Sequence, residues 1–391
     1  LVNVGQAAGR AAKLEKGFAR PPASARPGVY WFWLNGNVTS NGITADLEAM
    51  QRVGIGGVLI MEVDQGAPPG RAAFGQPGWR ELFKHVTGEA QRLGLEVNMN
   101  NDAGWCGSGG PWITPDLAMQ KVVWTETNVQ GPMHFASPLA QPEAVANYYR
   151  DIVTVAFPAP AGDARIEAIR AKAAFTPTFI GPQARFAPVP ADQAIARDRV
   201  VALAGRLDAT GRLDWDVPEG KWTIVRFGHT PTGKDNHPAP EAGRGLECDK
   251  LSRKAAEVMF DGLMGKLAAD SRPLVGKSLV ATHIDSWEVG SQNWTPAFRQ
   301  EFEKRRGYDL LPYLPALTGR VVESREVSER FLWDLRQTIS ELVLENYAGC
   351  FRELAHRQGL RLSIEAYTTC PVDEMAYAGR VKSAERGGHP V

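Results

Sequence analysis

The sequence predicts an α/β protein: a (β/α)8 TIM-like barrel with about five strands present, interrupted by an inserted β-rich, sandwich-like domain. Three observations lead there. From residue 28 to 105, short apolar runs alternate with amphipathic stretches that stop at glycine, the pattern of parallel strands joined by crossover helices. Between 106 and 245 this gives way to short Thr/Val-rich runs punctuated by Pro and Gly, as expected for a β-rich insertion. The alternation then resumes from 246 to 381, but only 24 residues follow Tyr367, whereas three more βα units need roughly 90 if a whole barrel runs to about 250.

In chain order, residues 1–27 form an N-terminal extension with no basic-then-apolar signal architecture. VYWFWL (Val29–Leu34) reads as a buried strand, and Ile43, Leu47 and Met50 then recur at helical spacing, with Gly54 after the last turn. GGVLIMEV (Gly56–Val63) is the second strand, Pro77–Gly94 the second helix with Gly94 as its stop, and LEVNMNND (Leu95–Asp102) the third strand. Beyond the insertion, Lys250–Leu267 is helical and SLVATHIDSWEV (Ser278–Val289) is the fourth strand. Thr295 as N-cap, Pro296 in the first turn and Gly307 as stop delimit the next helix. A long helical stretch from Ser328 to Gly359 leads to the fifth strand, RLSIEAY (Arg361–Tyr367), and residues 382–391 read as a disordered tail.

Composition narrows the function. Forty-four basic and 44 acidic residues cancel, so no global field gathers nucleic acid or an anionic membrane surface. No apolar run approaches the roughly 18 residues of a membrane span. Four cysteines, Cys106, Cys248, Cys350 and Cys370, lack CxxC spacing and define neither a zinc site nor a disulfide framework. NNDAGWCGSGG lacks the GK[ST] of a phosphate loop, and GxSxG is absent. His85 and His356 sit on amphipathic helices as surface or groove residues, and KDNHPAPEAGRG, with Asp235, Asn236, His237 and Glu241, reads first as a solvated polar connection and second, since it returns just before Asp249 and Lys250, as the rim of a cleft.

Parallel barrels build their sites at the C-terminal strand ends, and every predicted strand here ends in polar groups. These are Asn35 and Asn37, then Glu62 and Asp64, then Asn101, Asp102 and Trp105, then His283, Asp285 and Glu288, and finally Glu365 and Tyr367. HIDSWEVGSQNW also sets Trp287 and Trp294 among its ionisable groups, and sugar rings stack on aromatic faces. Glu365, between an apolar residue and an aromatic one, and Glu288, from the neighbouring strand end, form a candidate carboxylate pair. Glycoside cleavage needs such a pair, one to protonate the leaving oxygen and one to activate water or attack directly. A truncated, non-catalytic carbohydrate-binding fragment and a glycosidase of other sugar specificity are the rival readings.

Five segments carry a resemblance: Phe18–Val58 with NGNVT and ITADLEAM, NNDAGW (Asn100–Trp105), GLECDKLS (Gly245–Ser252), DSWEVGSQNWT (Asp285–Thr295), and IEAY followed by YAGR. In these the chain resembles glycoside hydrolase family 106, the alpha-L-rhamnosidases. The resemblance implies a (β/α)8 barrel with β-sandwich additions and inverting cleavage of terminal alpha-L-rhamnosyl groups, with Glu288 as general acid and Glu365 as general base. It also implies a calcium ion, for which Glu62, Asp102 and Asp285 are the candidate ligands, and a periplasmic or extracellular location. Asn35, Asn37, Asp102, Trp105, His283, Asp285, Trp294 and Tyr367 are the candidate substrate-binding residues. Family members continue past YAGR, where this chain has KSAERGGHPV.

Overall fold

The computed structural model describes residues 4–22, 25–177 and 188–379. A helix, α1 (Val4–Ala19), precedes β1 (Gly28–Leu34), α2 (Ser40–Arg52), β2 (Gly57–Val63), α3 (Pro77–Leu93) and β3 (Glu96–Asn100). The insertion carries β4 (Gln120–Pro138), β5 (Arg150–Pro158), the short α4 (Ile169–Lys172), β6 (Val201–Ala202) and β7 (Arg212–Pro231). After it come α5 (Arg253–Gly262), α6 (Met264–Asp270), β8 (Leu279–Ile284), α7 (Phe298–Arg306), α8 (Arg325–Leu342), α9 (Cys350–Gln358), β9 (Arg361–Ile364) and α10 (Glu374–Gly379). The predicted tail, 382–391, lies outside the described residues.

β1, β2, β3, β8 and β9 pair in that order, every pair parallel. The order never turns back, so right-handed crossovers lay successive helices on one face; α2 touches α3, α3 touches α6, and α5 touches α9. Among the described residues the sheet stays open, with β1 and β9 as its edges.

β1 departs from the fully buried strand expected of VYWFWL. Trp31 and Trp33 pack on the helix side, Trp33 edge-on to Trp79 at 5.5 Å, while Tyr30, Phe32 and Leu34 are 49%, 45% and 44% exposed on the other face. Side chains alternate along a strand, so one apolar run supplies both a core face and an open face. Trp79 is wholly buried among Trp33, Phe74 and Phe83, a burial that stabilises by about 2–3 kcal/mol.

The helix ends follow backbone chemistry. Gly94, Gly307 and Gly359 all close their helices with left-handed φ of 69°, 80° and 81°, where a Cβ would be strained. The start of α7 differs from expectation: the helix begins at Phe298, and the Thr295 hydroxyl donates to Asp249 at 2.6 Å instead of capping. The long helix is also two helices, α8 and α9, joined by a wider turn over Val343–Gly349, a local widening frequent at functional sites.

Among the described residues the insertion carries one four-stranded antiparallel sheet, ordered β4-β7-β5-β6, and not the two sheets of a sandwich. β4 and β7 pair over nearly their whole length, which satisfies their backbone groups, while the sheet's apolar side chains are buried in two cores. At one end Phe135, Leu213, Trp215 and Trp222 form a small core of their own; at the other, Val122, Val155 and Phe227 join the main core. Lys172, 1% exposed, meets Glu329 of α8 at 2.6 Å, fastening the insertion to the helical layer.

Candidate active site

The C-terminal ends of β8 and β9 lie side by side. Their register pairs His283 with Ser363 and Ile284 with Ile364, and the Glu365 amide continues the ladder to Ile284 O at 2.9 Å. Parallel pairing therefore sets Asp285 beside Glu365. Hydrogen bonding of the protonated Glu365 carboxyl toward Asp285, followed by burial and by the charges of Asp285 and Glu288, raises the Glu365 pKa to about 7. Glu288 is exposed and accepts the Ser286 hydroxyl at 2.7 Å.

A polar chain holds this cluster from beneath. Asn98 donates to Ser363 Oγ at 2.7 Å, Ser363 Oγ meets His283 Nδ1 at 2.7 Å, and His283 Nε2 faces Asp285 Oδ1 at 3.4 Å. With Asn98 as donor to Ser363, the serine proton goes to Nδ1 and the imidazole presents Nε2–H to Asp285, a tautomer assigned from the network. Across the open face Tyr30 of β1 senses the site: burial, then the charges of Asp285 and Glu365, raise its pKa. Tyr30 stacks on Phe32, which meets Trp105 edge-on at 5.8 Å.

The loop after β3, which carries Trp105, is tied down by buried groups. Asp102 accepts Asn100 Nδ2 at 2.9 Å and the Gly109 amide at 3.0 Å; Glu247 accepts the Ser108 amide at 2.9 Å and Lys250 Nζ at 2.6 Å. The Lys250 ammonium also lies 4.7 Å from the Trp287 ring centre and 5.5 Å from that of Tyr347, a cation–π arrangement. Tyr347, from the wide turn between α8 and α9, bonds Ser108 through its hydroxyl. Asp102, Glu247 and Lys250 have no exposed surface, and burial, then Glu247, hold the Asp102 pKa well above the usual carboxylate range.

The description of glycoside hydrolase family 106, alpha-L-rhamnosidase, matches residues 19–161 and 159–384. The chain belongs to that family. It is 43% identical over 384 residues to a Formosa agariphila protein named "Putative beta-glucuronidase", covering 97% of this chain and 33% of that one. The solved rhamnosidase from Novosphingobium sp. PP1Y superposes with a TM-score of 0.82 at 27% identity, over 94% of this chain and 49% of that one. The chain thus spans about a third of the Formosa relative and about half of the Novosphingobium enzyme. Its fold, like that of the Novosphingobium enzyme, is mixed α/β.

Within this family 106 chain, Glu288, Glu365, Asp285 and His283 come together, as the sequence anticipates, and Tyr367, 46% exposed, stands beside them with its carbonyl bonded to the Trp287 amide. Other candidates are engaged within the fold. Asn35 donates to Ala67 O and Asn37 to Leu34 O and Pro68 O, so both amides brace the loop after β1. The turn there needs left-handed Asn35 (φ 50°) and Gly36 (φ 72°), and Ala72 backbone leaves no room for a Cβ on Gly36. Trp294 is 3% exposed and packs on Phe298, and Asp102 is wholly buried with both oxygens bonded.

The calcium ligand set does not fit. Glu62 is wholly buried, accepting the Gly36 amide at 2.6 Å and Trp79 Nε1 at 3.0 Å, with burial raising its pKa to about 7 against those bonds. Calcium wants six to eight oxygens around one point, and among the described residues no three His, Cys, Asp or Glu side chains converge on one. Glu62, Asp102 and Asp285 are structural or carboxylate-pairing groups here.

Sequence reasoning missed Tyr30 and Phe32, hidden in a run read as wholly buried, and gave no role to Glu247, Asp249 and Lys250. The alternation YWFWL was a usable signal for the first pair. For the second group, a Glu–Asp–Lys cluster flanked by Leu246 and Leu251 was the available hint. The loop at Asp235–Glu241 does rim the site: His237 O accepts the Trp105 amide at 3.1 Å, and Asn236 is wholly buried, bonded to Ala103 O and Gly243 O. The four cysteines are buried and unpaired with one another. Burial, then Glu288, pushes the Cys106 thiol up to about 12, which removes it as a nucleophile.

Proposed function

We propose that this chain carries the acid–base machinery of an inverting alpha-L-rhamnosidase, within a (β/α)8 barrel whose first five strands are the parallel sheet described above. The observation that carries the reading is the convergence of Glu288 and Glu365 from adjacent strand ends, with Asp285 beside Glu365. Glu288 protonates the departing glycosidic oxygen. Glu365 takes a proton from water as that water attacks the anomeric carbon from the opposite face, giving beta-L-rhamnose and the free aglycone. Asp285 raises the basicity of Glu365, and a base with a pKa near the working pH is the most effective kind.

Inversion requires the two carboxyls to lie about 6.5–9.5 Å apart in the substrate complex, leaving space for the water. Proton NMR of the first product formed from an aryl alpha-L-rhamnoside tests this directly. The beta anomer is expected; first release of the alpha anomer, or no rhamnose at all, overturns the proposal.

The name of the Formosa relative favours a second reading, cleavage of a glucuronide. Charge argues against it. The side chains that set the proton affinity of Glu365 are both carboxyls, so a uronic acid would bring a fourth carboxyl group to the site, whereas rhamnose is neutral. Parallel assays on aryl rhamnoside and aryl glucuronide discriminate the two. The same reading places the enzyme in the periplasm or outside the cell, where glycans are met, and cell fractionation tests that.

A further inference from the structure

The loop bearing Glu288 runs from Asp285 to Thr295 without regular structure between β8 and α7, yet its polar side chains other than Glu288 are buried and bonded. At one end the Trp287 amide donates to Tyr367 O and Trp287 O accepts the Thr369 amide, both at 2.9 Å. At the other end, Gln292, Asn293 and Thr295 are at most 2% exposed. Asn293 donates to Ala173 O and accepts the Val122 amide, reaching two parts of the insertion. Gln292 Nε2 and Thr295 Oγ1 both donate to one carboxylate, that of Asp249, at 2.7 and 2.6 Å. Asp249 is itself wholly buried, and its remaining bond is from the Leu251 amide at 2.9 Å.

We propose that Asp249 is a positioning residue for the reaction, clamping through Gln292 and Thr295 the loop that presents Glu288. It touches no substrate. A wholly buried carboxylate is unfavourable without compensating donors, and two of its three donors lie on the loop that carries the acid, on the side away from β9. Glu288 itself is exposed, with Ser286 of the same loop as its bonded side-chain partner, so its placement depends on how firmly the loop is held. A displacement of the order of 1 Å at a reacting group lowers rate by about 100-fold. Because an acid acts in the transition state, the loss belongs to kcat and leaves KM nearly alone.

The inference rests on the rhamnosidase reading, and the experiment separates the two. Asp249→Ala, Thr295→Val and Asp249→Asn are compared with wild type by turnover of rhamnosides and by hydrogen–deuterium exchange of the 285–295 peptides. Thr295→Val removes a single hydroxyl and keeps the fold testable if Asp249→Ala does not fold. Asp249→Ala and Thr295→Val are expected to lower kcat by about 10- to 100-fold with KM within twofold. The loss should be greater for an alkyl rhamnoside, whose leaving oxygen needs the proton, than for a nitrophenyl one. Asn retains the Oδ1 acceptor, so Asp249→Asn is expected to restore most of the rate. Exchange should quicken in 285–295 and not in β2 or β3. Wild type that turns over no rhamnoside refutes the functional reading while the exchange result still judges the clamp. Folded variants with unchanged loop exchange, or with equal losses on both leaving groups, overturn the clamp.

Discussion

Replacing Asp285 with Asn tests how the carboxylate pair works. Glu365 stands at about 7 instead of 4.5, and the first cause of that rise is the proton that Glu365 shares with Asp285 as acceptor, with burial second and the charges of Asp285 and Glu288 after it. The asparagine side chain would carry no charge and would offer an amide N–H, which favours ionised Glu365. Burial and Glu288 remain, so the expected fall is about 1 to 2 pK units. A base must be ionised to act, so kcat/KM of the wild type rises with pH and levels off above about 7. At pH 6 about one-tenth of the wild-type base is ionised, against half or more in the variant. The assay is kcat/KM for an aryl rhamnoside from pH 4 to 9, and the variant's acidic limb should sit 1 to 2 units lower, whatever happens to its plateau. An unmoved acidic limb refutes the pairing. A downward shift of the alkaline limb instead would mean that Glu365 gives the proton, exchanging the two roles.

Other outcomes follow from the same geometry. Glu288→Gln and Glu365→Gln are each expected to lower kcat/KM by about 10²- to 10⁴-fold with little change in melting temperature, read by turnover and circular dichroism. Lys250→Met leaves buried Glu247 without its cation and should cost about 3–5 kcal/mol in urea unfolding; the double variant Glu247→Leu/Lys250→Met should recover much of it. Glu62→Gln turns an amide NH2 toward either the Gly36 amide or Trp79 Nε1, both donors, and should cost about 1–3 kcal/mol by the same measurement.

What was legible in the sequence, and what was not, divides along a physical line. Features set by the backbone alone read correctly. Gly94, Gly307 and Gly359 end their helices because a left-handed residue is needed there whatever surrounds it, and the five strands appear within a few residues of expectation for the same local reason. Thr295 read wrongly as a cap because its hydroxyl has a better acceptor 46 positions back in the chain, on Asp249. Trp294 read wrongly as a sugar platform because Phe298 covers it. Asn35, Asn37, Glu62 and Asp102 share one fault: a polar group at a strand end can face a substrate or satisfy the backbone of the adjoining loop, and these four do the second. Asp285 and Glu365 are different. Parallel register makes them neighbours, and the proximity of Asp285 and Glu288 favours the protonated form of Glu365. Like charges held together in this way are costly to the fold unless something else is gained. In the function proposed above that gain is a carboxyl poised near neutrality beside Glu288, and this is the reason to propose these strand ends, and not the equally polar ends of β1 to β3, as the chemical centre.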